Sequence, residues 1–272
     1  MATIPHSPQT IADDFSDYPT GDGKPLAETP IHRDNLLDGV KTLEWFFADN
    51  PMVYVSGNML VYYEEGNRRK HVSPDVFVAL GVPKDKRRDA YFVWDEPRGP
   101  SVVIELTSKS TRREDLSTKM AIYRDKMPVP EYFLFDPREE YLEPSLQGYR
   151  LRGGVYVPIE SINGRLPSQE LGLELDRNGE WLRFYEPTSG GWLLTPEERA
   201  LAEEEARERS EEARERAEAQ REQERTARQR AEAQREHERT ARQRAEEQRE
   251  QERTARQRAE AQREEEQTAR QR

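Results

Sequence analysis

Apolar positions recur at helical spacing from Ile31, through Leu36, Leu37, Val40, Leu43, Trp45, Phe46 and Phe47, and predict a first helix. Asp34 is placed to cap or charge its first turn, and Asn50-Pro51 to end it. The period then shortens to two. Val53–Val55, Ser56-Gly57-Asn58 and Met59–Tyr63 read as a hairpin with a Gly/Asn turn. Ser73–Val82 (SPDVFVALGV) reads as a buried strand opened by proline, and Ser101–Leu106 (SVVIEL) as a central one. A helix follows, with Thr111-Arg112-Arg113-Glu114 as its capping box, Leu116, Met120, Ile122 and Tyr123 as its apolar face and Pro128 as its stop. Glu131–Pro137 is another strand. A meander follows: Tyr149–Arg152 and Val155–Ile159 flank Gly153-Gly154, and Trp181–Tyr185 closes the domain.

Both ends depart from this pattern. Residues 1–29 are polar, carry four prolines by residue 25 and lack periodicity, which predicts a disordered N-terminal tail. From about residue 196 to 272 the chain reads as one long charged helix. A 14-residue repeat (RTARQRAEAQREHE, RTARQRAEEQREQE, RTARQRAEAQREEE) starts at Arg225. With Ala227 at a seam position, the seam alternates Ala-Ala with Gln-Glu, a weak coiled coil beside the Leu, Ile or Val that good ones use. Opposite charges at i,i+3 and i,i+4, such as Glu224–Arg228 and Glu238–Arg242, contribute about 0.2–0.5 kcal/mol each. A lone solvated helix on the order of 110 Å long is equally consistent.

Composition sharpens this division. The chain has 272 residues and a formal charge of −11. Residues 197–272 hold 20 Arg and 23 Glu, and nothing apolar larger than Ala after Leu201. All four Trp lie in the front part, which is long enough for one core. With no cysteine there is no disulfide, zinc-thiolate site or thiol nucleophile. The longest apolar run is about seven residues and the N-terminus lacks a basic start, so neither a membrane span nor a signal peptide is expected, and the reading is cytoplasmic. The acidic balance argues against broad nonspecific DNA affinity without excluding a local basic patch.

The chemistry concentrates between Pro74 and Lys119. Asp75 opens one apolar strand and Glu105 lies inside the next. Adjacent strand carboxylates repel, and a hard divalent cation such as Mg²⁺ would relieve them. Lys109 follows the Glu105 strand, and Lys119 shares a helix face with Asp115 and Tyr123. Blander readings stand beside these. Glu105 could be balanced by a salt bridge to Lys119, Asp115–Lys119 could be a solvated pair, and Lys109 a plain loop lysine. Glu44 and His32, on the first helix, are accessory candidates. Lys84, Lys86, Arg87 and Arg88, with Arg68, Arg69 and Lys70, could meet phosphates, although Asp85 and Asp89 interrupt them. Walker-type, dinucleotide and Gly-x-Ser-x-Gly motifs are missing from the sequence.

Several motifs in one order resemble the putative restriction endonuclease (Uma-two) family of the PD-(D/E)XK nuclease superfamily. They are SPDVFVALGV, the Arg88, Tyr91, Trp94, Glu96 pattern, VVIELTSKST, the Asp115, Lys119, Tyr123 spacing and EYFLFDP, followed by LQGYRL, SQELGLEL and WLRFYEP. The resemblance covers residues 31–195 and implies an α+β, restriction-endonuclease-like domain (30–195) with a mixed sheet flanked by helices. It implies Mg²⁺ or Mn²⁺ held by Asp75, Glu105 and the Leu106 carbonyl, DNA as partner, and Asp75, Glu105 and Lys119 as catalytic residues. The superfamily's usual lysine position holds Thr107, so the resemblance assigns the lysine to Lys119, with Ser108 and Asp115 in support. The alternative function is a catalytically silent nuclease-fold module whose long helix serves as spacer or oligomer seam. A homodimer fits either reading.

Overall fold

A computed structural model describes residue 15, residues 18–21 and residues 29–270. Its contacts divide the chain into Met1–Ala200 and Leu201–Arg272. The first unit is a mixed α+β domain. It opens with α1 (Pro30–Phe46), capped by Thr29 and begun by proline rather than by Asp34. Then come β1 (Val53–Ser56), β2 (Val61–Tyr62), β3 (His71–Val72), β4 (Val76–Leu80), β5 (Tyr91–Phe92) and β6 (Val102–Leu106). A π-helical turn (Glu114–Lys119) runs into α2 (Met120–Asp125). The rest of the domain is β7 (Glu131–Phe135), β8 (Leu146–Arg152), β9 (Val155–Pro158), β10 (Leu166–Ser168), β11 (Leu173–Asn178), β12 (Trp181–Glu186) and β13 (Gly191–Trp192).

The central sheet has the order β1-β4-β6-β7-β8-β9. Its parallel pair is β6 with β7, joined by the helical crossover that such a pair requires. Every residue of β6 and β7 is buried, which explains their unbroken apolar character. The sheet has two packed faces. Val76, Val78, Ile104, Leu106 and Phe133 face a core shared with α1 and with the four-stranded sheet β10-β11-β12-β13. Phe77, Ala79, Val103, Tyr132 and Leu134 face the other, with Tyr123 and Tyr91. Asn35 pins α1 to β12: its amide donates to the Glu180 carbonyl and its Oδ1 accepts from the Leu182 amide, both at 2.9 Å. Gly153 and Gly154, at φ 56° and 79°, turn β8 into β9 as expected.

The expected β1–β2 hairpin does not form. β1 pairs antiparallel with β4, while β2 joins a small sheet of order β3-β2-β5. Gly57-Asn58 is a crossing point instead, with Asn58 at φ 50° and its amide on the Pro74 carbonyl at 2.9 Å. The turn signal was real, but burial of both β1 and β4 favoured the distant partner. Of the expected N-terminal tail, residues 1–14, 16–17 and 22–28 lie outside the described residues. Within it, Phe15 stacks on Phe92 at 4.4 Å, Tyr18 meets Tyr62 edge-on at 5.0 Å, and the Tyr62 hydroxyl donates to the Pro19 carbonyl at 2.7 Å.

α3 (Pro196–Arg270) starts with a capping box: the Thr195 amide donates to Glu198 and the Glu198 amide to the Thr195 hydroxyl. Taken by itself, the Leu201–Arg272 unit is helical through residue 270, and exposed i,i+4 pairs line it, including Arg207–Glu211, Glu205–Arg209 and Glu212–Arg216.

Candidate active site

The antiparallel register of β4 and β6 pairs Phe77 with Val103 and Val76 with Ile104. One step further, Asp75 stands opposite Glu105. Strand alternation puts both on the face that carries Phe77, Ala79 and Val103. Side chains opposed in this way have Cβ atoms about 4.5–5.5 Å apart. Another step brings Pro74 opposite Leu106. Proline has no N–H to give the Leu106 carbonyl, and the Leu106 amide turns to Asp75 Oδ2 at 2.7 Å. The Pro-Asp sequence therefore ends the ladder, fixes one carboxylate oxygen and leaves a strand carbonyl without its usual cross-strand donor. Gly57 packs tightly against this corner: a Cβ there would lie 2.2 Å from the Asp75 carbonyl oxygen.

Glu105 has no solvent exposure. Its Oε2 accepts from Lys119 Nζ at 2.8 Å and its Oε1 from the Tyr123 hydroxyl at 2.6 Å. Lys119 Nζ also lies 3.1 Å from Asp115 Oδ1. That contact is an ion pair off the hydrogen-bond line, and neither buried Asp115 oxygen has an aligned donor. Just ahead of the helix, Ser108 and Thr111 close a reciprocal turn. The Ser108 hydroxyl accepts from the Thr111 amide at 3.3 Å, and Thr111 Oγ1 from the Ser108 amide at 3.0 Å. The cap is thus Ser108/Thr111, not Thr111/Glu114.

Three carboxylates surround one ammonium, and their titration reflects that imbalance. Burial raises Glu105 against the pull of Lys119, the charges of Asp75 and Asp115 add to the rise, and its pKa climbs from 4.5 to about 8. Asp115 is raised too, mainly by burial and against Lys119. For Asp75, burial works upward, but the His32 hydrogen bond, the Lys119 charge and the Leu106 amide outweigh it, and the carboxyl falls below its ordinary 3.8. Lys119 is raised: burial opposes its charge, and Glu105, Asp115 and Asp75 more than restore it.

A cavity of about 1180 Å³ opens over this cluster. Asp75, His32, Ser108, Lys109 and Lys119 line it, while Glu105 and Asp115 lie behind. His32 Nε2 sits 3.2 Å from Asp75 Oδ1. Glu44 is not brought to the cavity; it pairs with Lys41 at 2.7 Å on an exposed face of α1. Most of the basic loop is used internally. Arg88 makes a buried bidentate pair with Glu96 at 2.8 Å and lies 4.3 Å over Tyr54. Lys86 pairs with Asp95 and Glu96, and Lys84 donates to the Phe47 and Ala48 carbonyls. Two features escaped the sequence reading. The loop after β7 brings Arg138 and Tyr141 to the cavity, with the Asp136 carboxylate accepting from the Arg138, Tyr141 and Leu142 amides. The Tyr123 hydroxyl is the other, although its i,i+4 spacing from Lys119 signalled it.

Among the described residues, no group of three or more His, Cys, Asp or Glu is arranged as it stands to hold a metal ion. The donor chemistry nevertheless fits a hard divalent cation. Asp75 is ionised and faces the cavity, Glu105 adjoins it in register, and the Leu106 carbonyl faces a proline.

Among the described residues, no helix is long and apolar enough to cross a membrane. No curated protein matches the chain in sequence. Among solved structures, one similar chain is a putative nuclease belonging to DUF820 from Anabaena variabilis, 11% identical, with a TM-score of 0.40 over 53% of this chain and 75% of that one. Residues 22–181, more than half of the chain, match the family described as Uma2, putative restriction endonuclease. The chain belongs to the Uma2 family, a family of nuclease type.

Proposed function

We propose that this protein is a divalent-metal-dependent endonuclease that hydrolyses DNA phosphodiester bonds. The observation that supports this most is the opposition of Asp75 and Glu105 on one face of neighbouring strands, beside an ammonium group. Asp75, Glu105 and the Leu106 carbonyl would hold Mg²⁺ or Mn²⁺. A bound ion supplies positive charge to a phosphodiester oxygen and lowers the pKa of a water.

The remaining work belongs to the chain. Asp75 stays ionised at neutral pH and is oriented by His32 and the Leu106 amide. Lys119 stays protonated, faces the cavity and offsets the charge that builds on the phosphate. Glu105 would join Asp75 as an oxygen donor to the ion, and Asp115 would then keep Lys119 in place. Lys109 and Arg138 on the cavity wall are cationic contacts for flanking phosphates, with Ser108 at the helix start in support. In the overall step a water oxygen bonds to phosphorus and gives up a proton to solvent, one ester P–O bond breaks, and the leaving alkoxide takes up a proton from solvent, so one water is consumed and a phosphomonoester and an alcohol are formed. A cut through both strands takes two such sites, so a homodimer belongs to the proposal, as does action in the cytoplasm.

The test is cleavage of supercoiled and linear DNA by the full chain with Mg²⁺ or Mn²⁺. Asp75→Asn keeps the side-chain volume and is expected to lose at least 100-fold in rate with its fold intact. Wild-type protein that leaves varied DNA uncut with either ion would overturn the reading.

One observation favours a second reading, a catalytically silent module with α3 as spacer or oligomer seam: both Glu105 oxygens are already taken, by Lys119 and Tyr123. That reading predicts self-association through residues 197–272. Light scattering that finds a monomer at every concentration removes its oligomer form.

A further inference from the structure

The segment that carries Lys119 is a π turn, not plain α-helix. Widening a helix by one residue replaces i→i+4 backbone bonds with i→i+5 ones, a geometry that persists where other contacts support it. Side-chain hydroxyls donate to two carbonyls of this segment. Ser117 Oγ donates to the Arg113 carbonyl at 2.5 Å on the exposed side. On the buried side, the Tyr132 hydroxyl donates to the Asp115 carbonyl at 3.0 Å.

Tyr132 comes from β7, where it pairs with Val103, two positions before Glu105 on the same face of β6. It is fully buried, and its ring packs against Tyr123 at 5.2 Å and Tyr156 at 5.9 Å. The helix is therefore tied to the sheet twice. Tyr123 reaches from helix to strand, onto Glu105, and Tyr132 from strand to helix, onto the Asp115 peptide. Asp115 is four residues before Lys119 and bears on its ammonium.

We propose that Tyr132 is a positioning residue: its hydroxyl holds the π turn in register with the sheet, and so sets Lys119 Nζ between Glu105 and Asp115. It lies outside the cavity and touches no reacting group. The catalytic consequence rests on the nuclease reading above; the placement of the turn does not.

Tyr132→Phe in the full chain keeps the ring and removes the donor. Amide hydrogen exchange in metal-free protein is expected to speed up roughly tenfold across residues 115–121 and to stay unchanged in β6 and β7. kcat is expected to fall about tenfold with KM within twofold of wild type. In a Lys119→Ala background the same change is expected to cost less than a further twofold, because the residue it acts through is gone. Ser117→Ala, at the exposed carbonyl, is expected to leave kcat unchanged. Unchanged exchange across the turn overturns the proposal, and so does a full tenfold additional loss in the Lys119→Ala background. If wild-type protein cuts no DNA, the nuclease reading fails while the exchange experiment still decides whether Tyr132 holds the turn.

Discussion

Gly57→Ala tests how the corner at Asp75 is held. The added methyl would lie 2.2 Å from the Asp75 carbonyl oxygen and 2.8 Å from Val40 Cγ2. Nonbonded carbon atoms settle near 3.5 Å or more, so the Pro74–Asp75 strand and β1 must separate by about 1 Å. Two contacts register that shift: the Asn58 amide on the Pro74 carbonyl at 2.9 Å and the Leu106 amide on Asp75 Oδ2 at 2.7 Å. Overpacking of this kind costs about 1–3 kcal/mol. For a domain of this size that corresponds to a fall in Tm of roughly 2–12 °C. Urea denaturation gives the stability, and calorimetric titration with Mn²⁺ reads whether Asp75 has moved; weaker binding in step with lost stability is expected. Gly99→Ala is the control, since its new methyl would meet nothing closer than 3.5 Å. A Gly57→Ala protein as stable as the Gly99→Ala control, with unchanged Mn²⁺ affinity, would refute the idea that this close approach holds the corner.

Other expectations follow from the same geometry. Burial gives Glu105 a folded pKa of about 8 against an ordinary 4.5, so the folded state holds its proton more tightly than the unfolded state does. This group therefore takes stability away as pH rises from about 4.5 to 8, and a cation that binds the carboxylate restores it. Thermal stabilisation by Mn²⁺ is accordingly expected to be larger at pH 8 than at pH 6, and an equal or larger shift at pH 6 contradicts the assignment. Glu131 is buried at the start of β7 and accepts from Arg150 at 2.7 Å, from the Ser168 hydroxyl and from the Gln169 amide at 2.9 Å. Glu131→Ala leaves Arg150 without its partner and is expected to cost about 3–5 kcal/mol in urea denaturation, where a loss under 1 kcal/mol would contradict the role. An isolated peptide of residues 201–270 is expected to lose helicity between 0.05 and 1 M NaCl, because exposed ion pairs at i,i+4 hold it. Circular dichroism that does not change with salt would show that backbone propensity suffices.

Where the sequence could be read, the cause was local or periodic. β4, β6 and β7 are unbroken apolar runs because both sheet faces are covered, and α1 keeps its helical stripe for one of those faces. Asp75 and Glu105 stood out because acids inside such runs need a reason. The errors arose where a local signal had a nonlocal answer. Gly57-Asn58 has turn chemistry, but the partner of β1 lies more than twenty residues away, in β4. The helix cap moved to Ser108 because two hydroxyls three residues apart can satisfy each other's amides, and no periodicity reports that. The clasp around Glu131 joins β7 to the loop after β10, and only the folded register brings them together. In the basic loop, too, only the fold reveals that Arg88 and Lys86 are committed to Glu96.

The repeat in α3 has a consequence for how the chain can vary. Each 14-residue unit advances the helix by about 21 Å and leaves it only about 40° short of whole turns. Copies can be gained or lost with the charge pattern and the pitch of the charged stripes nearly preserved. Length is therefore the freely adjustable property of this segment, and related chains that differ in copy number should differ in steps of that size.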